Sequence, residues 1–193
     1  MADPLSARDE ILARVRSAVR DAPEVEVPRA YRTSGTAPDV VALFAQRVAE
    51  YDATVEIVSP DALASAIARR CGERVAVSPG FAVCPPGAVP DDGLSHAELD
   101  SMDTALTGCA VAIAETGTIV LDSGPRPLTL IPDHHVCVVE AAQIVELVPE
   151  AIARVADAAR AGRPITFISG PSATSDIELV RVAGVHGRGA STC

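Results

Sequence analysis

Tryptophan is absent from this chain and all aromatics together make up 3% of it, so Ala, Val, Leu and Ile must fill the core of a sequence that is 48% hydrophobic. Also missing is any Cys-x-x-Cys pair. The five cysteines, Cys71, Cys84, Cys109, Cys137 and Cys193, are odd in number and far apart. That excludes the spacing that seeds a zinc or iron–sulfur site and reads as reduced, cytoplasmic thiols. No apolar run approaches the ~20 residues of a membrane span, and the N-terminus lacks the basic region, apolar core and cleavage site of a secretory signal. A soluble cytoplasmic protein is expected. Arg is spread along the chain and the formal net charge is -10, which argues against a phosphate-backbone partner, since nucleic acid needs clustered cations. At 193 residues the chain can bury one substantial core without requiring two.

Ile11, Leu12, Val15 and Val19 follow the Ser6–Asp9 capping pattern at helical spacing, predicting a helix over 7–20. Residues 21–38, rich in Pro, Thr, Gly and charge, read as a linker or ordered surface wrap, so residues 1–37 form an N-terminal helix and Pro-rich linker and 38–193 the main α/β domain. Val40, Val41, Phe44 and Val48 give a helix face, Thr54–Val58 a strand, Ser59-Pro60 the start of a helix carrying Leu63 and Ile67, and Arg74–Ser78 another strand. Together these predict a βαβ unit with its two strands parallel in one sheet. A long Pro- and Gly-rich loop fills 79–94. Ser95 and Glu98 then cap a helix presenting Leu99, Met102 and Leu106 and ending at Gly108. Cys109–Ala114 and Thr118–Asp122 read as strands around a Glu115-Thr116-Gly117 turn. A second reversal over Ser123–Pro127 sends Leu128–Ile131 parallel to Cys109–Ala114, bringing Glu115 near Asp133, His134 and His135. Val136–Glu140 continues as strand, 149–161 as a helix with Ile152, Val155 and Ala159 inward and Gly162 as its cap, and Ile165–Ile168 as strand.

Glu115, between an apolar strand and Thr116-Gly117-Thr118, stands where a carboxylate can act as base, covalent nucleophile or metal ligand, or simply accept backbone hydrogen bonds in a turn. Asp133-His134-His135 sets a carboxylate beside two imidazoles that can orient a base or bind a metal, with His186 as a further imidazole. Neighbours on an extended chain point to opposite faces, so only one of His134 and His135 faces a pocket; His134 is taken as the ligand-binding one. Ser169-Gly170-Pro171-Ser172 through Asp176 follows a strand and leads into a helix capped by Ser175, an arrangement suited to a carboxylate or phosphate or to a capped structural turn. Neither a Walker A Lys nor Gly-x-Gly-x-x-Gly is present, which counts against ATP and ordinary dinucleotides. Arg126, in a Gly-Pro-Arg-Pro loop, can clamp a carboxylate or remain solvated.

Glu115-Thr-Gly-Thr118, Leu130-Ile-Pro-Asp133, Phe167-Ile-Ser-Gly-Pro-Ser172, Asp176-Ile-Glu178 and Gly184-Val-His-Gly187 together resemble the lactate utilization protein C family, built on the LUD domain, over roughly residues 38–187. The resemblance implies a three-layer α/β/α fold similar to the NagB/RpiA/CoA-transferase group, with a mixed, mostly parallel sheet. It further implies a component of the system that oxidises L-lactate to pyruvate alongside two iron–sulfur partner proteins. In that arrangement this chain binds no cofactor of its own, the clusters belong to the partners, and the chain is a subunit rather than a self-sufficient enzyme. The candidate site residues, from these motifs and from the reading above, are Glu115, Thr116, Gly117, Thr118, Arg126, Asp133, His134, Ser169, Gly170, Ser172, Asp176 and His186, facing a small carboxylate or a partner. Fold relatives include coenzyme A transferases with a nucleophilic glutamate in a Glu-x-Gly context, which Glu115-Thr-Gly117 resembles, so an acyl or CoA transferase is the alternative, with a metal-binding regulatory module a third reading. After Gly187 the sequence departs from the family, Arg188-Gly-Ala-Ser-Thr-Cys193 replacing a Pro-containing apolar edge strand.

Overall fold

Short valine-rich segments become the strands of two sheets in the computed structural model, which describes residues 7–23, 25–51, 53–122, 126–170, 173–175, 181–183 and 190–192. In chain order these are α1 (Ala7–Val19), α2 (Val40–Ala49), α3 (Leu63–Arg70), β1 (Val75–Val77), β2 (Val89–Pro90), α4 (His96–Asp100), β3 (Thr104–Gly108), β4 (Val111–Ile113) and β5 (Thr118–Leu121). There follow β6 (His134–Val138), β7 (Ile144–Val145), α5 (Val148–Arg160), β8 (Thr166–Ile168), β9 (Ala173–Ser175), β10 (Arg181–Ala183) and β11 (Ala190–Thr192). The first sheet is parallel throughout, in the order β11-β6-β3-β1-β2, and the second is mixed, in the order β7-β4-β5-β8. β9 and β10 pair with each other as an antiparallel hairpin.

Strand alternation decides what packs on each face. Val75, Val77, Leu106 and Val136 meet Ile67 of α3 on one side of the first sheet. Ala76 and Ala105 meet Leu99 of α4 and Leu128 on the other. In the second sheet Val111, Ile113, Val120 and Val145 pack against Ala151 and Val155 of α5. Ala112, Ala114, Ile119 and Ile144 pack against Phe44 and Val48 of α2, where Cys137 of β6 joins them. Each sheet thus carries helical structure on both faces, giving the α/β/α layering and predominantly parallel pairing expected. Each fully buried Val, Leu or Ile contributes roughly 1.5–3 kcal/mol, so these aliphatic clusters supply the core that aromatics do not.

Several local expectations change. Thr54–Val58 forms only an isolated bridge at Thr54, so β1 takes β2 and β3 as neighbours and the βαβ unit does not form. β-branched residues favour extension but supply no partner. The α4 capping box is present, with Ser95 Oγ accepting from Glu98 N–H and Glu98 Oε2 from Ser95 N–H. The helix nevertheless stops at Asp100, because Leu99 and Met102 belong to one face of the sheet while Leu106 packs on the opposite one as part of β3. Residues 128–131 are not a strand. Pro127 O accepts from both Leu130 N–H and Ile131 N–H, at 3.1 and 3.0 Å, closing a 3-10 turn over Arg126–Thr129. In α5 the buried stripe is Ala151, Val155 and Ala158, leaving Ile152 49% exposed. Ser175 ends β9, and residues 176–180, where the expected helix would begin, lie outside the described residues. Ala190–Thr192 pairs with β6 from His134 to Val136, so the first sheet does have an edge strand there.

The chain divides between Arg32 and Thr33. In the first unit, α1 matches the expected helix to within a residue and presents Ile11, Val15 and Val19 exposed at helical spacing; Ser6 lies outside the described residues. In the second unit, the N–H groups of Thr36 and Ala37 both donate to Glu146 Oε2, so residues 36–37 form an ordered wrap on the segment after β7.

Asp91, 1% exposed just after β2, is the one buried carboxylate among the described residues. Its Oδ1 accepts from Leu94 N–H at 3.0 Å and more weakly from Gly93 N–H at 3.4 Å, while Oδ2 has no hydrogen-bond partner among the described residues. Asp91→Ala strands both amides and is expected to lower the unfolding free energy by about 1–3 kcal/mol in urea titrations. Asp91→Asn keeps the accepting oxygen, so most of that loss should be absent.

Candidate functional site

The β4–β5 hairpin gathers most of the motif residues that the structure describes. Its turn closes through Gly117, whose φ is +60° and whose N–H approaches Ala114 O at 3.4 Å. Glu115 is exposed at the tip, its own N–H held by Glu146 O at 3.0 Å. Behind it runs a chain of hydroxyls: Thr116 Oγ1 lies 2.7 Å from Thr118 Oγ1, which lies 2.8 Å from Ser169 Oγ at the end of β8. Three hydroxyls joined by two hydrogen bonds use two of their three protons, leaving one donor and several lone pairs for a guest. Thr118 is 4% exposed, while the two ends of the chain, Thr116 and Ser169, are half-buried and exposed.

α2 backs this turn closely. A Cβ added at Gly117 would stand 2.8 Å from the Arg47 carbonyl carbon, and one at Gly170 would stand 2.6 Å from Tyr51 Cβ. Arg47 Nη1 pairs with Glu50 at 2.9 Å, but its Nε is buried without a hydrogen-bond partner among the described residues. A chain of hydroxyls with one spare proton can donate to a small oxyanion. Arg47 was not singled out from the sequence, where it reads only as the basic end of a helix.

Asp133 and His134 lie elsewhere. They stand at the amino end of β6 in the first sheet, with His134 in register with Thr104, whereas Glu115 ends a strand of the second sheet. The expected approach of Glu115 to Asp133 depended on a strand at 128–131 that does not exist. His134 is half-buried, and burial together with the Arg70 charge holds its pKa below the ordinary value. His135 points to the opposite face, as alternation requires, and it is His135 that is buried. Its Nε2 lies 2.9 Å from Thr107 Oγ1. Burial, with a smaller contribution from His134, pushes its pKa down to about 4, so the ring is neutral at pH 7. Among the described residues no group of three His, Cys, Asp or Glu side chains is placed to hold a metal. Arg126 begins the 3-10 turn, but its side chain, like Ser172, Asp176 and His186, lies outside the described residues.

At the base of the same hairpin, away from Glu115, is a crevice of about 300 Å³ lined by Ser78, Phe81, Thr107, Gly108, Cys109, Asp122, Leu128, Thr129 and Thr166, among others. It opens where β1 and β3 end. The chain leaves β1 toward β2 on one side, while β3 leads into β4 of the second sheet and β6 later pairs on its other side, so neighbouring strands connect in different directions here, the kind of place at which open parallel sheets commonly bind ligands. No sequence motif marks it. Its polar residues come from segments read as a helix tail and strands, and the available signal was that one of His134 and His135 had to face inward.

Comparison with known proteins places these features. The family model for the LUD domain matches residues 93–192, which include the hairpin. A lactate utilization protein C from Deinococcus radiodurans is 45% identical over 193 residues, covering 94% of this chain and 91% of its own. Another, from Shouchella clausii, is 31% identical over 103 residues, 50% of this chain and 45% of its own. Among solved structures, a DUF162 family protein from Deinococcus radiodurans superposes with a TM-score of 0.69 at 42% identity, over 79% of this chain and 93% of that one.

Proposed function

The chain belongs to the LUD domain family, and from that membership we propose that it serves lactate utilization as a non-redox subunit, binding a small carboxylate at the β4–β5 turn and acting with iron–sulfur partner proteins. The observation that carries the site is the Thr116–Thr118–Ser169 hydroxyl chain. Oxidising lactate to pyruvate removes two electrons and two protons. In this reading the electrons pass to the partners' clusters, and the present chain orients the carboxylate.

Lactate and pyruvate are therefore expected to raise the thermal midpoint of the isolated chain by mass action, by about 2.7 kcal/mol of stability at a hundredfold excess over Kd. Thr118→Val preserves shape but interrupts the hydroxyl chain and should abolish that shift with the circular dichroism spectrum unchanged. Equal shifts in both proteins would place the carboxylate elsewhere. Co-purification from lactate-grown cells checks the partners separately, and recovery of the chain alone would count against them.

The exposure of Glu115 at the hairpin tip favours one second reading, an acyl or CoA transferase with this carboxylate as nucleophile. That reading requires a thioester at Glu115 on incubation with acyl-CoA, and Glu115→Gln should eliminate it.

A further inference from the structure

The crevice at the carboxyl ends of β1 and β3 has no part in the function proposed above, and its chemistry differs from that of the hairpin turn. We propose that it is a second ligand site, taking a neutral polyol of monosaccharide size.

Four hydroxyl-bearing residues line it, Ser78, Thr107, Thr129 and Thr166, and a hydroxyl can both donate and accept. Among the described lining side chains none is cationic, and the Asp122 carboxylate at the wall is matched by Arg163 at 3.1 Å. Sugar hydroxyls can donate to that carboxylate and exchange hydrogen bonds with the wall. Thr107 is 2% exposed and tied to the buried His135 ring, so its hydroxyl is held in one direction before any guest arrives. The half-buried ring of Phe81 lies over Gly108, with a Cβ added there 3.5 Å from it, and together with Leu121 and Leu128 it supplies an apolar surface for the C–H face of a ring. The volume of about 300 Å³ stands at the lower limit of ligand pockets, roughly 300–1,000 Å³, and admits a single ring.

Concentrated sugars stabilise proteins by exclusion alone, so a thermal shift is not diagnostic. The test is saturation-transfer NMR on the full chain with glucose and ribose as probes, and with lactate and ribose 5-phosphate as competitors. Saturable transfer to glucose or ribose is expected, undisturbed by excess lactate and retained in Thr118→Val. Affinity should weaken about tenfold or more, about 1.4 kcal/mol, in Phe81→Ala and in the conservative Thr166→Val. The proposal is overturned by absence of saturable transfer, by tighter binding of ribose 5-phosphate than of ribose, or by unchanged affinity in both crevice variants. Because Thr118→Val tests the hairpin turn alone, failure of either site leaves the other standing.

Discussion

Lowering the pH from 7 to 4 is expected to remove about 3 kcal/mol of stability through His135 alone. The imidazole is 7% exposed, and burial pushes its pKa down to about 4 from an ordinary 6.5. Above pH ~6.5 the ring is neutral in both folded and unfolded chains, and its contribution is fully present. As the pH falls below that value the unfolded chain takes up a proton that the folded chain refuses until about pH 4, so unfolding gains on folding across the interval. At about 1.4 kcal/mol per pKa unit the depression amounts to the figure stated. His134, also lowered, acts in the same direction with a smaller weight because water reaches it. Urea titrations at several pH values measure the effect. The reference is His135→Leu combined with Thr107→Val, since the single change would strand the buried Thr107 hydroxyl. The difference in unfolding free energy between wild type and the double variant should change with pH between 6.5 and 4 and be flat above it. A difference independent of pH would mean that His135 is not a buried neutral ring.

Gly117→Ala is the substitution expected to do the most damage to the hairpin turn. Two costs coincide there. At φ +60° an L-residue pays about 1–2 kcal/mol for the left-handed conformation. The new methyl would also stand 2.8 Å from the Arg47 carbonyl carbon and 2.9 Å from Val48 N, backbone atoms of α2 that move only with the helix, adding about 1–3 kcal/mol of overpacking. The total of about 2–5 kcal/mol is a large part of an ordinary domain's stability. Gly87→Ala separates the two terms, since Gly87 has a φ of +81° but nothing within 4 Å of a new Cβ. It should cost only the conformational part. Equal losses in the two variants, read by urea titration, would show that α2 is not pressed against the turn. If α2 is displaced, Gly117→Ala should also weaken the lactate response of the neighbouring hydroxyl chain, which Gly87→Ala should leave intact.

The parts of the fold legible in advance are those whose determinants lie close together in the chain. The β4–β5 hairpin followed from two apolar runs on either side of Glu115-Thr-Gly117. α5 followed from its apolar period and Gly162, although its buried stripe is turned to Ala151, Val155 and Ala158. The errors have a common origin. Leu106 continues the apolar spacing of Leu99 and Met102, and nothing local says that a sheet passes between them. Thr54–Val58 has the composition of a strand, but composition does not provide an edge to pair with.

For the candidate sites the division is the same. Family motifs pointed to Thr116, Gly117, Thr118, Ser169 and Gly170, and alternation required one of His134 and His135 to face inward. By itself the sequence thus determined the hairpin, the amphipathic helices, the aliphatic core and the family. Only the tertiary structure decided that Thr118 meets Ser169, 51 residues away, that Arg47 stands behind the turn, that His135 is the buried imidazole, and that a crevice opens between β1 and β3. Parallel pairing and sheet packing join segments through contacts distant in sequence, and no short-range pattern of side chains records which partner each strand or face will find.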